Sequence, residues 1–247
     1  MINKDYLYTK IWDDLSSVVL ELNALYLYAQ DPEDRSRHCF SNLSTNNIDA
    51  IFEEVSINDN DQMLVSSNNS IVPLSSADAI GSFFSSYTFR VLYLEVTGMC
   101  CRLVAPLMKY AIENSIEIRV VYSEPKEYLL CEFQKEGLNK DLSESVAGVN
   151  PLPGFIRLVP FKEEPFFVTL LGFEGGRFSY LVTNKQPSYD KILPIVGVPG
   201  YRMYYPFETF WGNRNALKTT KAYERVVYAE ANSIVDSYLT LGKISYD

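Results

Sequence analysis

The chain has 247 residues, of which 47% are hydrophobic and 21% charged, a composition that excludes a disordered or fibrous protein. Its 22 basic residues against 31 acidic ones give a net charge of −9, which disfavours extended nucleic-acid binding because such binding neutralises many phosphates. A single histidine, His38, excludes metal sites built from several histidines, and four cysteines without a C-x-x-C pair exclude zinc ribbons.

The first residues, Met1 to Asp5, include a charged pair where a signal peptide would need an apolar core. The longest stretch poor in charge is rich in serine and asparagine, which does not suit a bilayer span. We therefore expect a reduced, cytoplasmic protein that is not bound to a membrane.

Residues 1–60 are predicted to form a helical N-terminal segment. Apolar residues recur at intervals of three and four between residues 10 and 30, which is typical of a helix that ends at Asp31-Pro32. The charged and Ser/Asn-rich stretch 33–47 indicates a loop, and the amphipathic piece Ile48 to Val55 indicates a second helix. We expect this segment to pack on the sheet or on a second copy of the chain.

Residues 61–247 are predicted to form a Rossmann-like α/β domain with an inserted loop region near 125–165, a length typical of functional loops. Short strands are expected at 62–65 and 71–73. Five longer apolar strands then follow, most of them leading through a turn into a helix, at Arg90–Thr97, Ile116–Tyr122, Phe166–Leu171, Ile192–Val196 and Arg225–Tyr228. The helices are expected at 99–114, 178–185, 206–218 and 233–241. This order favours one doubly wound, mostly parallel sheet.

The turns at the carboxyl ends of these strands are the predicted ligand site, because open α/β sheets bind ligands there. The candidate binding residues are Thr97, Gly98, Arg102, Gly172, Gly175, Gly176, Arg177, Gly197, Gly200 and Tyr201. Arg102, Arg177 and Arg202 each lie beside a glycine-bearing turn, which suits a phosphorylated ligand, and we expect Arg177 to be its main charged contact. The alternative is that short turns need glycine anyway and that the arginines form surface ion pairs.

Acidic residues follow the same strand ends. Glu95 lies inside an apolar strand, and Glu124, Glu174 and Glu230 follow three others. Such acids could hold a divalent cation, or they could act as general acid and base in hydrolysis of a glycosidic or N-glycosidic bond, with Glu95 or Glu174 as the catalytic residue. The alternative is that Glu95 pairs with an arginine and the others are solvated. The residues identify no metal site and no cofactor.

The strand–turn–helix order of about 90–241, with the turns Gly172–Arg177 and Gly197–Tyr201, resembles Rossmann-like nucleotide-sensing domains, including the CARF-like domains of prokaryotic immune systems. The resemblance implies a homo-oligomeric sensor or regulator in antiviral defence that binds a nucleotide or a related phosphorylated ligand. Two other interpretations stay open. One is a hydrolase acting on a nucleotide, nucleoside or NAD-like substrate, and the other is a subunit that binds a protein partner through the aromatic run 201–211 and the N-terminal helix.

Overall fold

The computed structural model describes residues 10–30, 35–125, 151–155, 164–231 and 233–246. The chain divides into two compact units. The N-unit contains the described residues 11–125 and 151–155, and the C-unit contains 164–231 and 233–246. The chain therefore divides beyond residue 125 rather than near residue 60, and most of the predicted inserted region lies outside the described residues.

The N-unit is built on a six-stranded sheet in the order β4-β3-β2-β1-β5-β6. Strands β2, β1, β5 and β6 run parallel, whereas β3 and β4 form an antiparallel meander with β2. Its strands are β1 Ala24–Tyr28, β2 Ile51–Ile57, β3 Gln62–Val65, β4 Ser70–Pro73, β5 Val91–Glu95 and β6 Glu117–Val121, and its helices are α1 Arg35–Asn46, α2 Ala77–Ser85 and α3 Cys101–Glu113.

Strand β1 lies at the centre of this sheet, and all five of its side chains are buried. Leu25 and Leu27 pack on the face that carries α2 and α3. Tyr26 and Tyr28 pack on the other face, with Cys39 of α1. Helices thus cover both faces of the parallel strands, which is why β1 is a continuous apolar run.

The helical prediction for residues 1–60 is wrong over the described part. Residues 24–28 form the central strand, since a short apolar run that is buried on both faces also matches helical spacing. The predicted loop 33–47 contains helix α1, a sequence of weak helix formers that is stabilised by burying Cys39 and Leu43. The predicted helix at 48–55 is instead strand β2, whose Ile51 pairs with Leu25.

The C-unit contains a separate three-stranded parallel sheet in the order β7-β8-β9. Its strands are β7 Phe167–Leu171, β8 Ile192–Gly197 and β9 Val227–Ala229, and its helices are α4 Gly175–Lys185, α5 Tyr205–Thr219 and α6 Ile234–Tyr246. A small core contains Phe178, Ile192, Ala216 and Leu217. All five longer predicted strands are confirmed as strands, but the prediction that they share one sheet is wrong. Two of them belong to the N-unit and three to the C-unit.

Candidate functional site

The carboxyl ends of β1 and β5 meet where the N-unit sheet changes direction. From β1 the chain crosses through α1 to β2 on one side, and from β5 it crosses through α3 to β6 on the other side. Helices α1 and α3 pack on opposite faces of the sheet. Open α/β sheets bind ligands at such a switch point. We call this place the β1/β5 edge, and it carries four predicted residues: Glu95, Thr97, Gly98 and Arg102.

The turn between β5 and α3 packs directly on the end of β1. A Cβ atom at Gly98 would lie 2.0 Å from the carbonyl oxygen of Ala29 and 3.0 Å from the Cβ of Ser36. The hydroxyl of Thr97 accepts a hydrogen bond of 2.9 Å from the backbone N–H of Ser123, just after β6. Gly98 is therefore needed for a close backbone approach within the protein, and Thr97 ties the turn to the next strand.

Helix α3 presents its N-terminus at this edge. Cys100, the N-cap residue of α3, makes no side-chain capping hydrogen bond. The side chains of Cys100 and Cys101 are both exposed. An uncapped helix start offers backbone N–H groups and the positive end of the helix dipole. In the first turn, Arg102 pairs with Asp61, with 2.5 Å between Nη2 and Oδ1. About a third of each of the two side chains is exposed, so the guanidinium is positioned by Asp61 and still reachable from solvent.

Glu95 lies under the edge, with its side chain fully buried. Its Oε2 atom accepts a hydrogen bond of 2.9 Å from the hydroxyl of Tyr26. In the part of the chain that the structure describes, its Oε1 atom has no hydrogen-bond partner. Burial raises the pKa of Glu95 to about 7, while Tyr26, the Cys39 thiol and the backbone N–H of Phe40 oppose that shift.

A second buried glutamate, Glu53 on β2, can be compared with Glu95 for the hydrogen bonds that its carboxyl group accepts. Its carboxylate accepts hydrogen bonds from the backbone N–H and the hydroxyl of Ser67 and from the hydroxyl of Tyr87, so both oxygens are satisfied. Buried carboxylates are normally compensated in this way. Glu95 differs from Glu53 in having one hydrogen-bonded oxygen and one without a partner among the described residues. Tyr26 and Cys39 were missed from the sequence because their segments were assigned the wrong secondary structure.

Arg35, at the start of α1, is a further residue that the sequence analysis missed. One of its guanidinium nitrogens donates to the hydroxyl of Tyr122 at 3.0 Å and to the carbonyl oxygen of Ser123 at 3.1 Å. The guanidinium also lies 5.5 Å from the centre of the Tyr122 ring. Arg35 therefore fixes the start of α1 to the end of β6. In the sequence, the only indication of this role is that Arg35 follows the apolar run 24–28 by a few residues.

The remaining predicted residues lie in the C-unit, so the predicted set belongs to two sheets rather than to one. These residues are Gly172, Glu174, Gly175, Gly176, Arg177, Gly197, Gly200 and Tyr201. The Nε atom of Arg177 lies 2.5 Å from a carboxylate oxygen of Glu174, and most of the arginine side chain is exposed. Of the other acids, Glu124 belongs to the N-unit and Glu230 to the C-unit.

The glycines of the C-unit turns have structural explanations. A Cβ atom at Gly175 would lie 1.8 Å from the carbonyl oxygen of Gly212, so the start of α4 approaches the backbone of α5. At Gly197 it would lie 2.8 Å from the Cβ of Ala231, and at Gly200 it would lie 3.0 Å from the carbonyl oxygen of Arg202. Gly172 and Gly176 have open space around them. Close packing thus accounts for three of these five glycines.

Two further observations limit the site. Among the described residues, no group of three or more His, Cys, Asp or Glu side chains is arranged to hold a metal ion. None of the helices in the described ranges has the length and apolar character required to cross a membrane.

Comparisons with protein-family models, with curated proteins and with solved structures find no match to this chain.

Proposed function

We propose that the N-unit binds a nucleotide or a related phosphorylated small molecule at the β1/β5 edge and acts as a Rossmann-like sensor or regulator. The observation that carries the proposal is the strand order, because it places the start of α3 at the switch point of an open α/β sheet. A phosphate at this position would accept hydrogen bonds from backbone N–H groups at the start of α3. Arg102, on the same turn, would add a charge-assisted contact.

Binding without turnover is better supported than hydrolysis. Glu95 is fully buried, and one of its oxygens is engaged by Tyr26, so it does not face a bound ligand. Glu174, the other candidate acid, lies in the C-unit and pairs with Arg177. The two candidate acids thus lie in different units, and neither is placed beside the proposed phosphate position at the start of α3.

The proposal predicts a different effect for two similar arginines. A panel of mononucleotides, cyclic nucleotides and dinucleotides should contain a compound that raises the melting temperature, since a ligand at 100 times its Kd stabilises by about 2.7 kcal/mol. Arg102→Gln should weaken that compound's binding by about 10- to 150-fold, because a charge-assisted hydrogen bond contributes about 1.5–3 kcal/mol. Isothermal titration calorimetry measures the change.

Arg177→Gln is the matched control. Like Arg102, Arg177 lies on the first turn of a helix behind a glycine-bearing turn and pairs with a carboxylate, but it lies in the C-unit. Its substitution should leave the affinity unchanged. Loss of binding in Arg177→Gln, with normal binding in Arg102→Gln, would place the site in the C-unit. A panel without any stabilising nucleotide would contradict the proposed ligand class.

A further inference from the structure

Helix α5 of the C-unit has an aromatic side that does not contribute to the core. Its buried side, which includes Ala216 and Leu217, packs in the core of this unit. On the opposite side, exposed residues recur at intervals of three and four, a spacing that places them on one side of a helix. They are Tyr204, which is the N-cap residue, Phe207, Trp211, Asn215 and Lys218. We call these residues, together with Arg214, the α5 stripe.

The α5 stripe and the loop before it expose a large aromatic surface. Phe207 is 75% exposed, Tyr201 54%, Tyr204 46% and Trp211 43%. Since an aromatic side chain has about 150–250 Å² of surface, these four leave roughly 450 Å² in contact with solvent. With Met203, which is 93% exposed, the surface reaches the upper limit of the largest patch on a typical monomer, about 300–600 Å². A standard protein interface takes about 800 Å² from each partner, so this surface supplies more than half of that area.

The C-terminal half of the stripe is cationic. The guanidinium of Arg214 lies 4.2 Å from the centre of the Trp211 ring, and its Nη1 atom donates to the Trp211 carbonyl oxygen at 2.6 Å. Lys218 follows one turn later. The stripe therefore has rings in its first half, cations in its second half and Trp211 between them. Tryptophan, tyrosine and arginine are the residues that most often contribute the binding energy of protein interfaces.

This order is self-complementary when two copies of α5 pair in opposite directions about Trp211. Phe207 and Arg214 lie roughly 5 Å along the helix on either side of Trp211, and Tyr204 and Lys218 lie roughly 10 Å on either side of it. A two-fold axis beside Trp211 therefore places Phe207 against the partner's Arg214 and Tyr204 against the partner's Lys218, each contact occurring twice. The faces of aromatic rings attract such cations. Parallel pairing would place cation on cation instead.

We propose that the C-unit self-associates through the α5 stripe, with two copies of the chain paired antiparallel about Trp211. The sequence left open a protein partner for residues 201–211. The stripe continues to Lys218, and its matched rings and cations favour a second copy of the chain. A net charge of −9 opposes the alternative occupants, an anionic lipid surface and a nucleic acid. This inference goes beyond the proposed ligand binding in the N-unit and does not require it.

The test is sedimentation velocity of the full chain at increasing concentration in physiological salt, where repulsion between the two net charges is screened beyond about 8 Å. The protein should change from monomer to dimer as its concentration rises. In a Trp12→Phe background, Trp211 is the remaining tryptophan. Its fluorescence emission should shift to shorter wavelength in step with dimer formation, because the ring passes from solvent into the interface.

Phe207→Ala should weaken the dimer by about 100-fold, since each dimer buries this ring twice and each ring contributes about tenfold. Leu170→Ala is the matched control. Leu170 on β7 is 68% exposed, but it lies on the face of the sheet opposite Leu171, which packs on the core with α5. Its substitution should leave the dimer unchanged. Lys218→Glu is an independent variant at the other end of the stripe and should also weaken the dimer.

Two substitutions of Tyr204 test the antiparallel arrangement. Tyr204→Glu places a carboxylate against the partner's Lys218, whereas Tyr204→Lys places two ammonium groups together. Tyr204→Glu should therefore associate more strongly than Tyr204→Lys, although it makes the chain more negative. In a parallel pair residue 204 would face its own copy, and both variants would be weakened alike. Equal weakening thus contradicts the antiparallel pairing.

Three results would overturn self-association through the stripe. The first is a protein that stays monomeric at the highest concentration. The second is a dimer that persists in both Phe207→Ala and Lys218→Glu, and the third is a dimer that is lost in Leu170→Ala instead. In a monomeric protein, co-sedimentation with vesicles of phosphatidylcholine and phosphatidylserine that is lost in Phe207→Ala would assign the stripe to a lipid surface.

Discussion

Gly175→Ala is expected to destabilise the C-unit by about 3 kcal/mol, near the upper end of the usual cost of overpacking. The added Cβ would lie 1.8 Å from the carbonyl oxygen of Gly212, and the three nearest atoms all belong to the backbone of α5. A flexible side chain could move aside, but here helix α4 must shift away from α5. Such a shift opens the small core around Phe178 and Leu217.

Gly176→Ala is the matched control, because a Cβ at that position has no neighbour within 4 Å. It should be neutral or stabilising by up to about 1 kcal/mol, since alanine favours a helix over glycine. In a Trp12→Phe background, the fluorescence of Trp211 on α5 reports unfolding of the C-unit. Equal stability of the two variants would contradict the close contact between α4 and α5.

Tyr26→Phe is expected to destabilise the N-unit in a pH-dependent way. The change removes the hydroxyl that donates to Glu95 and keeps the buried ring, which stacks on Tyr93 with 6.0 Å between ring centres. Above pH 7 an ionised Glu95 would lose this donor, at a cost of about 3 kcal/mol. At pH 5, where the acid is neutral, the cost should be about 1 kcal/mol.

Tyr93→Phe provides the comparison for this prediction. Tyr93 is buried on the same face of the sheet, and its hydroxyl accepts a long hydrogen bond of 3.5 Å from the backbone N–H of Glu21. Its substitution should cost less and by the same amount at both pH values. Urea unfolding at pH 5 and pH 8 measures both variants. A loss in Tyr26→Phe that does not change with pH would contradict the ionisation of Glu95 in the folded protein.

The strands and helices beyond residue 90 could be predicted because their local pattern is strong. Runs such as Phe167–Leu171 are apolar, short and followed by glycine, and these features do not depend on the partner strand. The segment before residue 60 lacks such signals. Residues 24–28 match strand and helix patterns equally, and α1 is a helix of serines and asparagines that forms by packing Cys39 and Leu43 on the sheet.

The candidate site was predictable in part for the same reason. The rule for the carboxyl ends of parallel strands pointed to Glu95, the last residue of the strongly patterned strand β5, and to Thr97, Gly98 and Arg102, which follow it. It also joined them to residues such as Arg177, because an apolar run does not indicate which sheet a strand enters. Tyr26 was missed because its role depends on pairing between β1 and β5, which are far apart in the sequence.

Hydrogen exchange measured by mass spectrometry, with and without the nucleotide that most raises the melting temperature, tests the β1/β5 edge most directly. Ligand bound at the start of α3 should slow exchange in peptides covering residues 96–104 and 35–40. Peptides covering 172–177 and 198–204, the corresponding turns of the C-unit, should exchange at an unchanged rate. Protection confined to those C-unit turns would contradict the assignment of the ligand site to the N-unit.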